Sequence, residues 1–143
     1  MPLLNQVNLV VRDPDASRAF FALLGIELGQ AYEWPPGSGA YHSSVSFSGP
    51  LTLEFDNPAM LRLYASGADQ VRGPIIGFAF PTADEVDAAF ARLTAANHPA
   101  RQAPYDAFWG ARYAIVEDPD GHTVGLMGPI DRTRGYIPSG PPS

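Results

Sequence analysis

The sequence repeats itself once, and that repeat restricts the fold more than any other feature. A gapless shift of 69 residues lays Gln6-Val7-Asn8-Leu9-Val10-Val11 over Ile75-Ile76-Gly77-Phe78-Ala79-Phe80. The next segments stay in step, with Asp15 on Asp84, Ala19 on Ala88, Phe21 on Phe90, Ala22 on Ala91 and Leu24 on Leu93. A shift of 71 then lays Glu54-Phe55-Asp56-Asn57-Pro58 over Gly125-Leu126-Met127-Gly128-Pro129. Solenoids stack three or more short units. A long unit present twice means two modules packed as a pair.

Each module reads as a strand, a helix and further strands. Val7, Leu9 and Val11 alternate with Gln6, Asn8 and Val10, so residues 6–12 are expected to be extended. Asp13-Pro14-Asp15 stops that strand and opens a helix from Ala16 to Leu24, which Gly25 ends. A weaker strand is expected over 26–33, a Pro/Gly loop over 34–39, and strands over 40–48 and 51–56 around Gly49-Pro50. A short helix over 57–66 completes the module. The second module gives a helix from Thr82 to Ala96 and strands over 100–106, 110–117 and 122–128. Its last hairpin turns at Asp118-Pro119-Asp120-Gly121. The Pro/Gly-rich segment 131–143 is expected to be a flexible tail.

With 45% hydrophobic and 17% charged residues, the chain has ample material for a packed interior. The net charge of −6, with no lysine and scattered arginines, argues against a nucleic-acid groove. Without cysteine there is no disulfide, thiolate metal site or thiol nucleophile. No apolar run approaches a bilayer span, and the N-terminal residues do not read as a secretory signal. A cytoplasmic protein with no membrane or nucleic-acid partner is the expectation.

The order strand–helix–three strands, twice, resembles the vicinal oxygen chelate (glyoxalase/bleomycin-resistance/dioxygenase) superfamily. Two segments carry the resemblance: the opening Val7-Asn8-Leu9-Val10-Val11-Arg12-Asp13, and Ala107-Phe108-Trp109-Gly110-Ala111-Arg112-Tyr113 continuing to the Asp-Pro-Asp-Gly turn. It spans residues 4–130, with module one over about 4–66 and module two over about 73–130. It implies an α+β fold in which two paired βαβββ modules form a cupped, curved mixed sheet with helices on the outer face. It also implies homodimers, and members that either catalyse reactions with a metal or bind small molecules without one.

Metal-dependent members place ligands at four strand positions facing the cup. Carried over by the resemblance and the repeat, these are Gln6 and Glu54 in module one, and Ile75 and Gly125 in module two. Neither Ile75 nor Gly125 has a donor side chain, whereas a divalent ion of the usual kind takes three or four protein ligands. The expectation is therefore no metal and no cofactor. The alternative is a lyase, isomerase or dioxygenase with one divalent ion on Gln6, Glu54 and a third residue such as His42 or His122. His98 reads as a helix-end residue.

If Val7/Leu9/Val11, Leu51/Leu53/Phe55, Ile76/Phe78/Phe80 and Val124/Leu126 lie under the helices, the alternate residues face the cup. That puts Gln6, Asn8, His42, Ser44, Ser46, Thr52 and Glu54 on a polar wall, and Ile75, Gly77, Ala79, Gly125 and Met127 on a small apolar one. Glu54, a candidate general base, needs a partner inside the cup, for which Arg112 or the ligand itself could serve. Trp34, Tyr105, Phe108 and Trp109 are expected near the mouth. The expected ligand set is Gln6, Asn8, His42, Ser44, Glu54, Trp109 and Arg112, around a small organic molecule such as an antibiotic or natural product.

Overall fold

The elements, in a computed structural model, run β1 (Leu3–Val10), α1 (Pro14–Leu23), β2 (Tyr32–Glu33), β3 (Tyr41–Ser46), β4 (Thr52–Asp56) and α2 (Pro58–Tyr64) in the first module. The second has β5 (Ile75–Ala79), α3 (Ala83–Ala95), β6 (Ala100–Asp106), β7 (Arg112–Glu117) and β8 (Thr123–Met127). Short 3₁₀ turns occupy Ala68–Gln70 and Arg132–Arg134. The structure describes residues 1–23, 26–71, 73–117 and 121–142, without the side chains of Phe20, Leu23 and Gln70. The expected helix stop at Leu24-Gly25 and the turn residues Asp118-Pro119-Asp120 lie outside these.

Among the described residues eight strands form one mixed sheet in the order β2-β3-β4-β1-β5-β8-β7-β6. The repeat is visible in its register. In module one the parallel pair β1–β4 sets Gln6 against Thr52, Asn8 against Glu54 and Val10 against Asp56. In module two β5–β8 sets Ile75 against Thr123, Gly77 against Gly125 and Ala79 against Met127. Each pair is the other module's pair moved by the two sequence shifts. The modules meet where β1 and β5 run antiparallel, with Val7 opposite Ile76, Gln6 opposite Gly77 and Asn8 opposite Ile75. That pairing is an approximate twofold axis passing between Val7 and Ile76.

The apolar positions of these strands face α1 and α3. Phe21 of α1 meets Phe55 edge-on at 5.0 Å. In module two Val86 and Ala89 of α3 pack on Ala114 and Leu126, with Phe80, Phe90, Leu93 and Val124 around them. Burying a side chain such as Phe55, 2% exposed, contributes roughly 2–3 kcal/mol. Local caps fix where the helices start. The Asp13 carboxylate accepts the backbone N–H groups of Asp15 and Ala16, and Thr82 accepts that of Glu85.

The third helix, α2, lies inside the cup. Its Met60, Leu61 and Tyr64 are buried with Ile75, Tyr113 and Ile115 of the module-two sheet. Asn57 starts it and ties it down: its side-chain oxygen accepts the N–H of Met60 and of Tyr41, and its amide donates to the Gly39 carbonyl. Residues after the last strand also fold back. Asp131 donates its N–H to the Gly110 carbonyl, and Tyr136 bonds the backbone of Phe108 and Asp106.

Strand β2 is shorter than its sequence suggests. Only Tyr32 and Glu33 pair with β3, whereas the run was expected over 26–33. Upstream, Gly29 takes its bonds singly, its N–H to the Ser44 carbonyl and its carbonyl from the Ser43 hydroxyl. That glycine interrupts the ladder, because it offers no side chain to pack and little bias toward an extended chain. β1 also starts earlier and stops earlier than the expected 6–12, ending where Val11 donates to the Asp56 carbonyl.

Candidate functional site

A cavity of about 230 Å³ opens in the cup between the two modules. One wall is polar and comes from the cup faces of β1, β3 and β4. Alternation along these strands puts Gln6 and Asn8, His42, and Glu54 and Asp56 side by side. The other wall is aromatic and thioether: Tyr64 and Met60 from α2, Phe108, Trp109 and Tyr113 from the β6–β7 hairpin, and Met127 from β8. Tyr32, Trp34, Ile130 and Arg132 complete the lining.

The polar wall is one connected network. Asp56 is buried and its carboxylate is held by three donors: the His42 ring at 2.6 Å on Oδ1, and the Asn8 amide at 3.1 Å with the Tyr64 hydroxyl at 2.8 Å on Oδ2. Glu54 is bonded less evenly. Its Oε2 accepts from Gln6 at 3.1 Å and from Asn8 at 3.2 Å. Among the described residues its Oε1 has only the Thr52 hydroxyl, at 3.4 Å. Gln6 and Asn8 are also joined to each other by a short amide–amide bond.

These contacts set the protonation behaviour. Burial raises the Glu54 pKa and the Asp56 charge adds to this, while His42 and the bonds from Asn8 and Thr52 hold it back. For His42, burial acts to lower the pKa, but the bond to Asp56 and the charges of Asp56 and Glu54 outweigh it, so the net shift is upward. Burial drives the Tyr64 and Tyr113 hydroxyls well above their ordinary value, with Asp56 adding to both. Both tyrosines are therefore neutral groups on the cavity wall.

The aromatic wall is self-supporting. Trp109 meets Tyr64, Tyr113 and Phe108 edge-on at 5.9, 5.1 and 5.0 Å. Trp34 reaches the cavity because its loop is laced shut: the exposed Glu33 carboxylate accepts the N–H groups of Gly37 and Gly39, and Trp34 N–H bonds the Ala40 carbonyl. The bonds from Gly37 and Gly39 lower the Glu33 pKa.

Two glycines in module two make room for this arrangement. A Cβ at Gly77 would come within 3.0 Å of the Gln6 Cβ, so the glycine houses the base of that side chain. A Cβ at Gly125 would lie 3.0 Å from the Tyr113 hydroxyl and 3.5 Å from Ile75. The space a ligand side chain at 125 would need is therefore taken by Tyr113. The four strand positions that would hold a metal thus present an amide, a carboxylate, the fully buried Ile75 and a glycine under a tyrosine. Among the described residues no group of three or more His, Asp or Glu is placed to hold a metal ion. The donor set does not fit a divalent ion of the usual kind.

Of the residues expected at the site, Gln6, Asn8, His42, Glu54 and Trp109 line this one cavity. Ser44 sits on the cup face opposite Glu54 but is exposed and outside the lining. Arg112 is a correction. Its guanidinium forks onto Asp87 of α3 at 2.7 and 3.0 Å and reaches Asp106 at 3.5 Å, on the outer side of the sheet. It does not partner Glu54. Of the other expected mouth aromatics, Tyr105 bonds the Tyr64 carbonyl behind the wall. His122 is exposed and His98 half-buried at the end of α3, both away from the lining. The sequence reading missed Asp56, Tyr64, Tyr113 and Arg132. Asp56 carried a signal, because it lies two residues beyond Glu54 on the same strand.

Paired βαβββ modules that join one mixed sheet around a cup define the architectural class. The family model of the Glyoxalase/Bleomycin resistance protein/Dioxygenase superfamily matches residues 3–126. The chain belongs to that superfamily. Among solved structures it is similar to an NAD-dependent benzaldehyde dehydrogenase from Legionella pneumophila (16% identity, 88% of this chain and 98% of that one, TM-score 0.64). It is also similar to methylmalonyl-CoA epimerase from Streptomyces coelicolor in complex with 2-nitronate-propionyl-CoA (19%, 88% and 93%, TM-score 0.59). A third is a superfamily member from Vibrio splendidus 12B01 (12%, 90% and 100%, TM-score 0.55). At these identities the likeness is one of fold. No curated protein matches the chain. Among the described residues no helix is long and apolar enough to cross a membrane.

Proposed function

We propose that this chain is a metal-independent binding protein that holds a small organic molecule, of the antibiotic or natural-product kind, in the cup. The observation that carries this is the pair of unlike walls around one cavity. A hydrogen-bonding edge can dock on Glu54, Gln6 and His42 while a flat body lies against Trp34, Trp109 and Tyr113. The module-two metal positions, Ile75 and Gly125, support binding without a metal. The test is thermal unfolding and calorimetry of the purified protein against a panel of amphiphilic antibiotics and metabolites, with a chelator present. A ligand at about 100 times its Kd should raise the unfolding free energy by about 2.7 kcal/mol. A panel with no saturable binder sinks the proposal. So does about one tightly bound divalent ion per chain that is lost in Glu54→Ala.

A second reading has its own support in the raised pKa of Glu54. A half-buried carboxylate whose Oε1 is weakly bonded can take a proton from a carbon acid, with no metal involved. Deuterium wash-in from heavy water into a bound carbonyl compound, abolished by Glu54→Gln, separates catalysis from binding.

A further inference from the structure

The charges and rings of the cavity bear on what kind of molecule it holds, and this step rests on the binding reading above. The Asp56 carboxylate and the His42 ring are hydrogen-bonded at 2.6 Å, and every Asp56 oxygen is engaged within the protein. Glu54 is a second carboxylate beside them. Among the described residues it has no salt bridge, and its Oε1 is met only by a hydroxyl at 3.4 Å. Even with His42 protonated, two carboxylates in the wall face one imidazolium. Arg132 is exposed at the rim, so water screens its charge.

Around this surplus negative charge stand the rings of Trp34, Trp109, Tyr113 and Tyr64. The last three are mutually edge-to-face at 5.1 to 6.1 Å. Burial keeps both tyrosines neutral, so their rings add no counter-charge. A carboxylate with a spare oxygen, set among aromatic faces, is the arrangement that attracts an ammonium group: the oxygen supplies charge and the ring quadrupoles supply cation–π attraction. A carboxylate ligand would meet two like charges instead. We infer that the ligand is an organic cation, an amine with a flat apolar body, whose nitrogen sits at Glu54 Oε1 inside the aromatic walls.

Three probes on one ring system test this: tryptamine, tryptophol and indole-3-acetate, titrated calorimetrically into the whole protein with a chelator present. Tryptamine should bind about tenfold tighter than tryptophol, and indole-3-acetate weakest. Glu54→Gln, which keeps an acceptor in place, should remove the preference and bring tryptamine down to the affinity that tryptophol has for the same variant. Glu54→Asp should retain the order. Circular dichroism and a cooperative melt check that each variant is folded; if one is not, the order in the unsubstituted protein decides. If tryptophol or indole-3-acetate matches tryptamine, or the preference survives in Glu54→Gln, the inference falls while small-molecule binding stands. Panel hits that are neutral or anionic overturn it in the same way. If neither these probes nor the wider panel bind, both readings fall together.

Discussion

Module one and module two share a backbone register pair for pair, yet they fill the cup with opposite chemistry. At positions equivalent by the repeat, Gln6 corresponds to Ile75, Asn8 to Gly77, Glu54 to Gly125 and Asp56 to Met127. The outer faces show no such divergence: Val7, Leu9, Leu53 and Phe55 match Ile76, Phe78, Val124 and Leu126. The helix layer demands apolar residues in both halves, because an unpaired polar group there would lose its hydrogen bonds to water. The cup imposes no such demand. One half was free to carry a polar network and the other to become small and apolar, and the small half makes space for Gln6 and for Tyr113.

The largest effect expected from breaking this contrast is at Asp56. Asp56→Ala strands the His42, Asn8 and Tyr64 donors in a buried site and should cost about 3–5 kcal/mol in urea unfolding. A loss below 1 kcal/mol would mean the network is not structural. Next is Gly125→Ala. Its new methyl presses on the Tyr113 hydroxyl at 3.0 Å and should cost roughly 1–3 kcal/mol, with the tryptophan emission of nearby Trp109 altered. Relief by Tyr113→Phe would confirm the contact. Met127→Ala, at the position equivalent to Asp56, should cost only about 1 kcal/mol, since this partly exposed side chain loses packing and no network.

The smallest effect is the pH dependence. His42 holds its proton more tightly folded than unfolded, so its stabilisation is complete below the ordinary value of 6.5 and is lost as pH rises through the folded pKa. Glu54 acts with the same sign from 4.5 upward, because its folded pKa is also raised. Melting temperature should therefore decline as pH climbs through and above 6.5, and His42→Asn should flatten that decline. A melting temperature that rises over the same range would contradict the His42–Asp56 pairing.

Much of the fold and half of the site could be read from residue order. Strand alternation placed Gln6, Asn8, His42 and Glu54 on one face, because a pleat sends every second side chain the same way. Asp56 obeys the same rule, but the sequence reading places it only as the end of strand 51–56 and not among the cup residues. Arg112 failed for a different reason. In β7 both faces are buried, so Tyr113, Ala114, Ile115 and Val116 give no alternation from which to tell inside from outside. Only pairing with β8 turns Tyr113 toward the cup and Arg112 toward Asp87.

By itself the sequence determined the duplicated register, the apolar outer faces and the lack of donors at Ile75 and Gly125. All three are periodic or positional properties that survive without knowledge of distant contacts. Tertiary structure alone decided that α2 enters the cup, that the β6–β7 hairpin brings Tyr113 over Gly125 and Trp109 into the cavity wall, and that Ile130 and Arg132 join the lining. Those placements depend on where loops return to a sheet already formed, through contacts between residues far apart in the chain, and no local pattern encodes that.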